Sequence, residues 1–314
     1  MRFSVIIPVY NKGPYIKKAL ESVMGQSFRD FELVVVDDGS ADDSYDVAKS
    51  VLDDSKVKYQ LLQQKNAGVS TARNNGVAAS CGDYLCFLDA DDWWESSFLE
   101  KMDQFIRDYP EAGIYGTNYY YVKNGRSRVF VSGVETGYIN YCQSYAQTLR
   151  MPFCVGAVCV SRQVFDGMGG FRPHLKLGED FDLWIKIVLK YKVAYLNEPL
   201  LYYYQDSDAN WRGVGHLTDP KYHMLWNLDY LSDEEKTNQD YKQLIDNLRT
   251  YSLLSYYLSS QYRDVAKKEL DKVNWNNQPE KLRRLYRLPI PFLRLRRQVL
   301  KWGSNIKQWL IKHI

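Results

Sequence analysis

The first third of the chain alternates short apolar runs with amphipathic stretches. Apolar runs at residues 3–8, 31–36 and 84–88 predict buried strands, because runs without polar alternation are typical of a parallel sheet covered on both faces. Apolar residues recur at helical spacing from Ile16 to Val23, and a further helix is predicted over residues 69–80. This alternation predicts an α/β fold with a doubly wound, mostly parallel sheet.

The pattern changes after about residue 110. Asn124-Gly125 lies between two strand-like stretches, 113–122 and 127–134, and this dipeptide is a strong hairpin signal, so we expect a small antiparallel part. The remaining predicted elements are a helix near 141–149, a strand over 153–161, a glycine-rich turn at 167–172, a helix from about 179 to 191 and a strand at 200–204.

From residue 222 onward the pattern is helical, which predicts an α/β domain over 1–215 and a helical C-terminal extension over 216–314. The end of this extension, 281–314, carries ten Lys or Arg residues and no acid, whereas the whole chain has a net charge of only +3. Residues 1–280 are therefore net negative, and the positive charge is concentrated in the tail.

The basic tail also carries an apolar stripe. Its members recur every three or four positions, as on one face of a helix: Leu295, Val299, Trp302, Ile306 and Trp309. A basic, Trp-containing helix suits the surface of an anionic membrane, and we favour that interpretation over packing on protein, which the stripe also fits. No nucleic-acid recognition motif accompanies the charge, so we expect no nucleic-acid partner.

The composition is that of a soluble globular protein, with 45% hydrophobic and 25% charged residues. The five cysteines are odd in number and include no Cys-x-x-Cys pair, which favours reduced thiols over disulfides or a zinc site. The sequence contains neither a recognisable secretory signal nor an apolar stretch long enough to span a bilayer. We expect a cytoplasmic protein whose tail is a candidate peripheral contact with the inner face of the cytoplasmic membrane.

Polar clusters follow three of the predicted strands: Tyr10-Asn11, Asp37-Asp38, and Asp89 with Asp91. Ligands of doubly wound sheets bind beyond the carboxyl ends of the strands, so these clusters should converge on one crevice. The Asp-x-Asp spacing suits a divalent cation that takes its other ligands from water and substrate phosphates. The alternative is a solvated turn with an Asp as helix cap, the role we favour for the adjacent Asp92.

Five motifs in the order of the chain resemble the family 2 glycosyltransferases of GT-A fold, over roughly residues 3–205. The resemblance implies an inverting, metal-dependent enzyme that moves a sugar from a nucleoside-diphosphate sugar, with UDP favoured, to a hydroxyl of a glycan or lipid-linked acceptor. It also implies Mn²⁺ or Mg²⁺ as cofactor and a place in bacterial surface polysaccharide synthesis. The motifs are Pro8-Val-Tyr-Asn11, Val36-Asp-Asp-Gly-Ser40, Asn66-Ala-Gly-Val-Ser-Thr-Ala-Arg-Asn-Asn-Gly76, Phe87-Leu-Asp-Ala-Asp-Asp92 and Gly178-Glu-Asp180.

The resemblance implies donor-binding roles for five residues. Pro8, Val9 and Tyr10 would border the nucleotide base, with the Tyr10 ring beside it. Asp38 would accept a hydrogen bond from the base, and Arg73 would approach the diphosphate. These expectations agree with the chemistry, because a leaving diphosphate gains negative charge that an Arg can stabilise.

The resemblance also implies roles for three acids. Asp89 would lie near the ribose or the sugar, Asp91 would bind the metal, and Asp180 would be the general base that takes the proton of the acceptor hydroxyl. To be basic enough at a helix start, Asp180 would need partial burial or repulsion from Glu179, which we regard as a secondary candidate.

Trp93 and His216 are two further secondary candidates for the site. Trp93, with its neighbour Trp94, would form a wall of the acceptor site or belong to the core. His216 could reach the metal or the diphosphate, although a surface histidine is the simpler interpretation.

Two other protein classes fit an alternating α/β sequence less well. A nucleotide-dependent dehydrogenase would need Gly-x-Gly-x-x-Gly after the first strand, where this chain has Val9-Tyr-Asn-Lys-Gly-Pro14. A catalytically inactive nucleotide-sugar-binding or scaffold protein of the same fold is the alternative function. The presence of Asp89, Asp91, Arg73 and Asp180 argues against it.

Overall fold

The computed structural model describes residues 1–207 and 217–295, and these divide into two compact units between Tyr230 and Leu231. The first unit is built on a single mixed sheet and the second is helical. The domain boundary predicted between residues 215 and 216 falls at a segment outside the described residues, so it stays a prediction.

The first half of the sheet follows the predicted alternation. The strands β1 to β4 lie in the order β3-β2-β1-β4, and all neighbours are parallel. Every residue of β1 and β2 is buried, as expected for strands covered on both faces. The elements are β1 Phe3–Val9, α1 Gly13–Met24, β2 Phe31–Asp37, α2 Ser44–Asp53, β3 Tyr59–Gln63, α3 Val69–Ala78 and β4 Tyr84–Phe87.

The second half adds antiparallel strands, which confirms the predicted fold class. Strand β9 pairs antiparallel with both β4 and β6 and so joins the two halves, while β6 and β10 are parallel. The full order is β3-β2-β1-β4-β9-β6-β10-β5, with β7 on β6 and β8 on β10. The elements are β5 Trp93–Trp94, α4 Phe98–Asp108, β6 Ala112–Lys123, β7 Arg126–Val129, β8 Gly137–Ile139, α5 Tyr141–Thr148, β9 Val158–Ser161, α6 Arg162–Met168, α7 Glu179–Val188 and β10 Lys192–Tyr204.

Four predictions in this half were wrong in detail, the first being the strand expected over 127–134, which ends at Val129. The strand expected over 153–161 begins only at Val158, because Val155–Ala157 forms a 3₁₀ turn whose Gly156 carbonyl accepts a hydrogen bond from the Trp94 indole at 2.7 Å. Helix α6 was not predicted, since its end lies in the glycine-rich run assigned to a turn. Strand β10 begins eight residues before the predicted strand, with register shifts around Pro199.

The second unit confirms the predicted helical extension. Its buried Arg249 donates to Glu235 and Glu269, so the charge in its core is paired. No helix among the described residues is long and apolar enough to cross a membrane. The tail beyond residue 295, which holds most of the predicted apolar stripe, lies outside the described residues. The helices are α8 Ser232–Thr237, α9 Gln239–Ser252, α10 Leu254–Leu258, α11 Arg263–Leu270 and α12 Glu280–Arg287.

Candidate active site

Strands β2 and β3 lie on one side of β1, and β4 lies on the other. The loops after β1 and β4 therefore flank the point where the strand order reverses. Pro8 and Val9 are buried within β1, and Tyr10 is 39% exposed at its end. The next residue, Asn11, has a left-handed backbone with φ 51°. Its amide group links this loop to the one after β2, because Asn11 Oδ1 accepts from the Ala41 N–H at 2.8 Å. The two strand ends are therefore held together.

Asp38, expected to bind the base, is buried and already accepts three hydrogen bonds. Oδ1 accepts from Ala67 N–H and Gln64 Nε2, both at 2.8 Å, and Oδ2 accepts from Gly68 N–H at 2.9 Å. The carboxylate thus fixes the loop before α3. Since an ionised carboxylate has about four lone-pair sites, Oδ2 keeps capacity for one further donor.

Arg73 joins two parts of the site that are far apart in sequence. From α3, its guanidinium donates to Asp89 Oδ1 at 2.8 Å and to Glu179 Oε1 at 3.0 Å, and it lies 5.2 Å from the centroid of the Phe171 ring. The side chain is almost fully buried. Burial opposes the charge of Arg73, but attraction to Asp89 and Glu179 outweighs it and raises the pKa of the guanidinium.

The three acids at the start of α7 have different partners. Glu179 accepts from Arg73, and the fully buried Asp182 accepts from Arg172 and, at 2.8 Å, from the Tyr230 hydroxyl. Among the described residues, Asp180 accepts a hydrogen bond only from the neighbouring Phe181 N–H, at 2.7 Å. Two of these acids therefore anchor the helix, and Asp180 is left with unused acceptor capacity next to Arg73.

The Asp180 carboxyl has a raised pKa. Its side chain keeps some accessible surface, yet the surrounding protein makes its charged form costly. Loss of water around the carboxylate is the larger cause and repulsion from Glu179 the smaller, and together they raise the pKa of Asp180 to about 7. Attraction to Arg73 lowers the pKa but does not outweigh them. Both conditions set out for a basic Asp180 are met, and a carboxyl with this pKa is suited to proton transfer near neutral pH.

Asp91 forms an ion pair with a lysine. Lys12 Nζ is 2.6 Å from Asp91 Oδ2, and both side chains are mostly buried. A carboxylate at a strand end fits the chemistry of a Mg²⁺ or Mn²⁺ ion that takes one protein carboxylate and otherwise phosphates and water. Among the described residues there is no group of three or more acidic, His or Cys side chains placed to bind a metal. Asp91 would therefore hold such an ion mainly together with the substrate.

Asp92 does not cap a helix, which corrects the role we favoured for it. Its Oδ1 accepts from the Tyr204 N–H at 2.8 Å, whereas α4 begins only at Phe98. Burial, reinforced by repulsion from Asp91 and Asp89, raises the pKa of Asp92 well above its usual range. Asp92 thus fixes the end of β10 beside the cleft.

Trp93 and its neighbour Trp94 pack against different parts of the protein. Trp94 is buried and stacks on Phe98, with ring centroids 4.1 Å apart, so it belongs to the core. Trp93 stacks on Tyr202 at 5.2 Å and lies under Lys18 of α1, and its role toward an acceptor stays a prediction. His216 lies outside the described residues.

Sequence reasoning missed two residues of this site. Asn74 was given no role from the sequence, but its side-chain amide donates to the Phe171 carbonyl at 2.7 Å and accepts from the Phe171 N–H at 3.0 Å. It holds the glycine-rich turn over Arg73, and nothing in the local pattern indicates this long-range pair. Lys12 could have been found, because it follows β1 at the same sheet edge as Asp91.

Comparisons with known sequences found a family model and several relatives. A family model described as "Glycosyl transferase family 2" matches residues 4–181. The glycosyltransferase GlyA of Streptococcus pneumoniae is 40% identical over 120 residues, which are 38% of this chain and 17% of GlyA. An uncharacterized glycosyltransferase of Rickettsia felis is 29% identical over 203 residues, 63% of this chain and 32% of that protein. The chain therefore spans less than a third of the length of these two relatives.

Solved structures share the fold. Residues 1–349 of TarS from S. aureus, crystallised with UDP-GlcNAc, align with a TM-score of 0.72 and 22% identity, over 90% of this chain and 83% of that one. The mannosyltransferase PcManGT from Pyrobaculum calidifontis, crystallised with GDP-Man and Mn²⁺, aligns with a TM-score of 0.51 and 15% identity, over 88% and 86% of the two chains. At these identities the likeness establishes the GT-A fold alone.

Proposed function

Since the chain belongs to glycosyl transferase family 2, we propose that it transfers a sugar from a nucleoside-diphosphate sugar to an acceptor hydroxyl, with inversion at the anomeric carbon. UDP is the nucleotide we favour, supported by the UDP-GlcNAc bound to the structurally similar TarS. The acceptor we propose is a glycan or lipid-linked glycan of a surface polysaccharide, and a basic tail on an anionic membrane would keep the enzyme close to it.

The observation that carries this proposal is the position of Arg73. One guanidinium contacts Asp89, at the end of β4, and Glu179, the neighbour of Asp180. A donor bound at the strand ends would therefore lie on the same side of the sheet as Asp180, whose carboxyl has a pKa of about 7. This contact of Arg73 with both acids supports a donor site and a base that share one cleft.

The proposed reaction is one displacement. Asp180 takes the proton of the acceptor hydroxyl as its oxygen forms a bond to the anomeric carbon. The bond from that carbon to the diphosphate breaks on the opposite face, and the diphosphate leaves with the electron pair. Arg73 contributes positive charge on the donor side, where the leaving group gains negative charge. A divalent ion held by Asp91 would neutralise part of the same charge.

Donor binding can be tested by thermal unfolding with UDP-GlcNAc, other UDP-sugars and GDP-mannose, each with and without Mn²⁺. A ligand that binds only the folded state stabilises it, by about 2.7 kcal/mol at one hundred times its Kd. We expect a nucleotide sugar with Mn²⁺ to raise the Tm of the wild type. The Asp91→Ala variant should keep its fold and lose the Mn²⁺-dependent part of the increase. A wild type whose Tm responds to none of these donors would contradict the proposal.

A further inference from the structure

Lys12 is a positively charged group placed directly against Asp91. Its Nζ lies 2.6 Å from Asp91 Oδ2, with the two side chains only 13% and 15% exposed. The backbone of Lys12 is fixed on both sides. Its N–H donates to Ser44 Oγ at 2.7 Å, and its carbonyl accepts from the N–H groups of Tyr15 and Ile16 at the start of α1. The ammonium is thus held at the end of β1, facing the carboxylate of the neighbouring β4 loop.

This ion pair opposes the binding of a bare metal ion. A cation that takes Asp91 Oδ2 as ligand must displace the Lys12 ammonium or share the oxygen with it, and two positive charges at that distance repel. A displaced, mostly buried ammonium also needs a new acceptor, because an unpaired buried charge is costly. The ring of Tyr15, whose centroid is 5.7 Å from Nζ, is a weaker partner than a carboxylate.

A diphosphate removes this conflict. Its oxygens can accept from the ammonium, so that Lys12 moves from Asp91 to the phosphates while Asp91 turns to the metal. We propose that Lys12 is a donor-binding residue that exchanges between Asp91 and the diphosphate, and that it thereby makes metal binding depend on the nucleotide. This inference rests on the proposed function, since it assumes a nucleoside diphosphate at the strand ends.

The exchange predicts effects of opposite sign when the charge of Lys12 is removed. Without the nucleotide, Mn²⁺ should bind the Lys12→Met variant more tightly, because no ammonium competes for Asp91. Without the metal, UDP should bind the same variant more weakly, because a phosphate contact is lost. We expect each change to be about tenfold, within the usual range of coupling between two sites.

The experiment measures Mn²⁺ binding by electron paramagnetic resonance and UDP, TDP and GDP binding by calorimetry, each ligand alone and both together. Lys17→Met is the matched control, since Lys17 is an α1 lysine that is 65% exposed and lies 3.8 Å from Glu21. Lys12→Arg keeps the positive charge, so it should hold both affinities closer to those of the wild type. Lys12→Gln, which also removes the charge, repeats the test if Lys12→Met does not fold.

The outcomes separate this inference from the proposed function. Tighter Mn²⁺ binding and weaker UDP binding in Lys12→Met, with Lys17→Met unchanged, would support the exchange. Unchanged Mn²⁺ affinity, or unchanged nucleotide affinity, would overturn it even if the enzyme transfers sugar. If no nucleoside diphosphate binds the wild type with or without Mn²⁺, the proposed function fails and the exchange fails with it.

Discussion

The two halves of the α/β unit differ in how their side chains are positioned. In the first half, β1 to β4 are parallel neighbours linked by helices, and the polar residues follow directly from the strand ends. In the second half, β9 and β10 return from distant parts of the chain, and their contacts with the site span long sequence separations. Tyr204 on Asp92 is one such contact. The first half is thus encoded mainly by neighbouring residues, whereas the second half depends on long-range packing.

Arg73→Met should give the largest effect, because Arg73 joins the two halves. Without the guanidinium, Asp89 and Glu179 lose their partner and repel each other and Asp180. We expect transfer to fall by 10³-fold or more and the free energy of unfolding to fall by about 3 kcal/mol, as for other broken buried ion pairs. Steady-state kinetics and urea unfolding measure the two. Arg73→Lys keeps the positive charge but lacks the two parallel N–H donors of the guanidinium. Its transfer rate and stability should lie between those of Arg73→Met and the wild type.

The pH dependence of transfer is the next largest effect. Asp180 must be ionised to accept a proton, and its pKa is about 7. The value of kcat/KM should therefore rise about tenfold per pH unit below 7 and level off above it. A profile that is flat between pH 5.5 and 8 would exclude Asp180 as the titrating base.

Stability should show the opposite trend with pH. Because the pKa of Asp180 is raised on folding from its usual 3.8, the folded state binds this proton more tightly than the unfolded state. The Asp180 contribution to stability is therefore present at low pH and is lost between about pH 4 and 7. Asp180→Asn removes this loss, so its Tm advantage over the wild type should grow across that range. An advantage that shrinks as the pH rises would contradict the assignment.

A substitution in the second half should affect stability more than donor binding. A Cβ at Gly116 of β6 would overlap the ring of Phe153, so Gly116→Ala should reduce the free energy of unfolding by about 1–3 kcal/mol. Gly167 is the control: it lies near the end of α6 with open space around it, and alanine there should be neutral or stabilising by up to about 1 kcal/mol. Equal stability of the two variants would show that the packing of β6 on Phe153 is not close.

These differences also explain how far the sequence could predict the structure. The apolar runs that became β1 and β2, and the spacing that became α1, depend on neighbouring residues and were predicted correctly. The 3₁₀ turn at Gly156 depends on an indole 62 residues away, and the bond between Arg73 and Glu179 spans 106 residues. No local pattern contains such pairs. The family motifs indicated the candidate residues. They did not indicate the ion-pair and hydrogen-bond partners that shift the pKa values of these residues.

The central claim is that Asp180 is the base while the donor binds on the other side of Arg73. It is tested most directly by comparing donor binding and turnover in Asp180→Asn at pH 8. We predict a donor Kd within about twofold of the wild type and a loss of transfer of about 10³-fold, the usual contribution of a general base. Transfer at the wild-type rate, with the donor bound normally, would contradict the account.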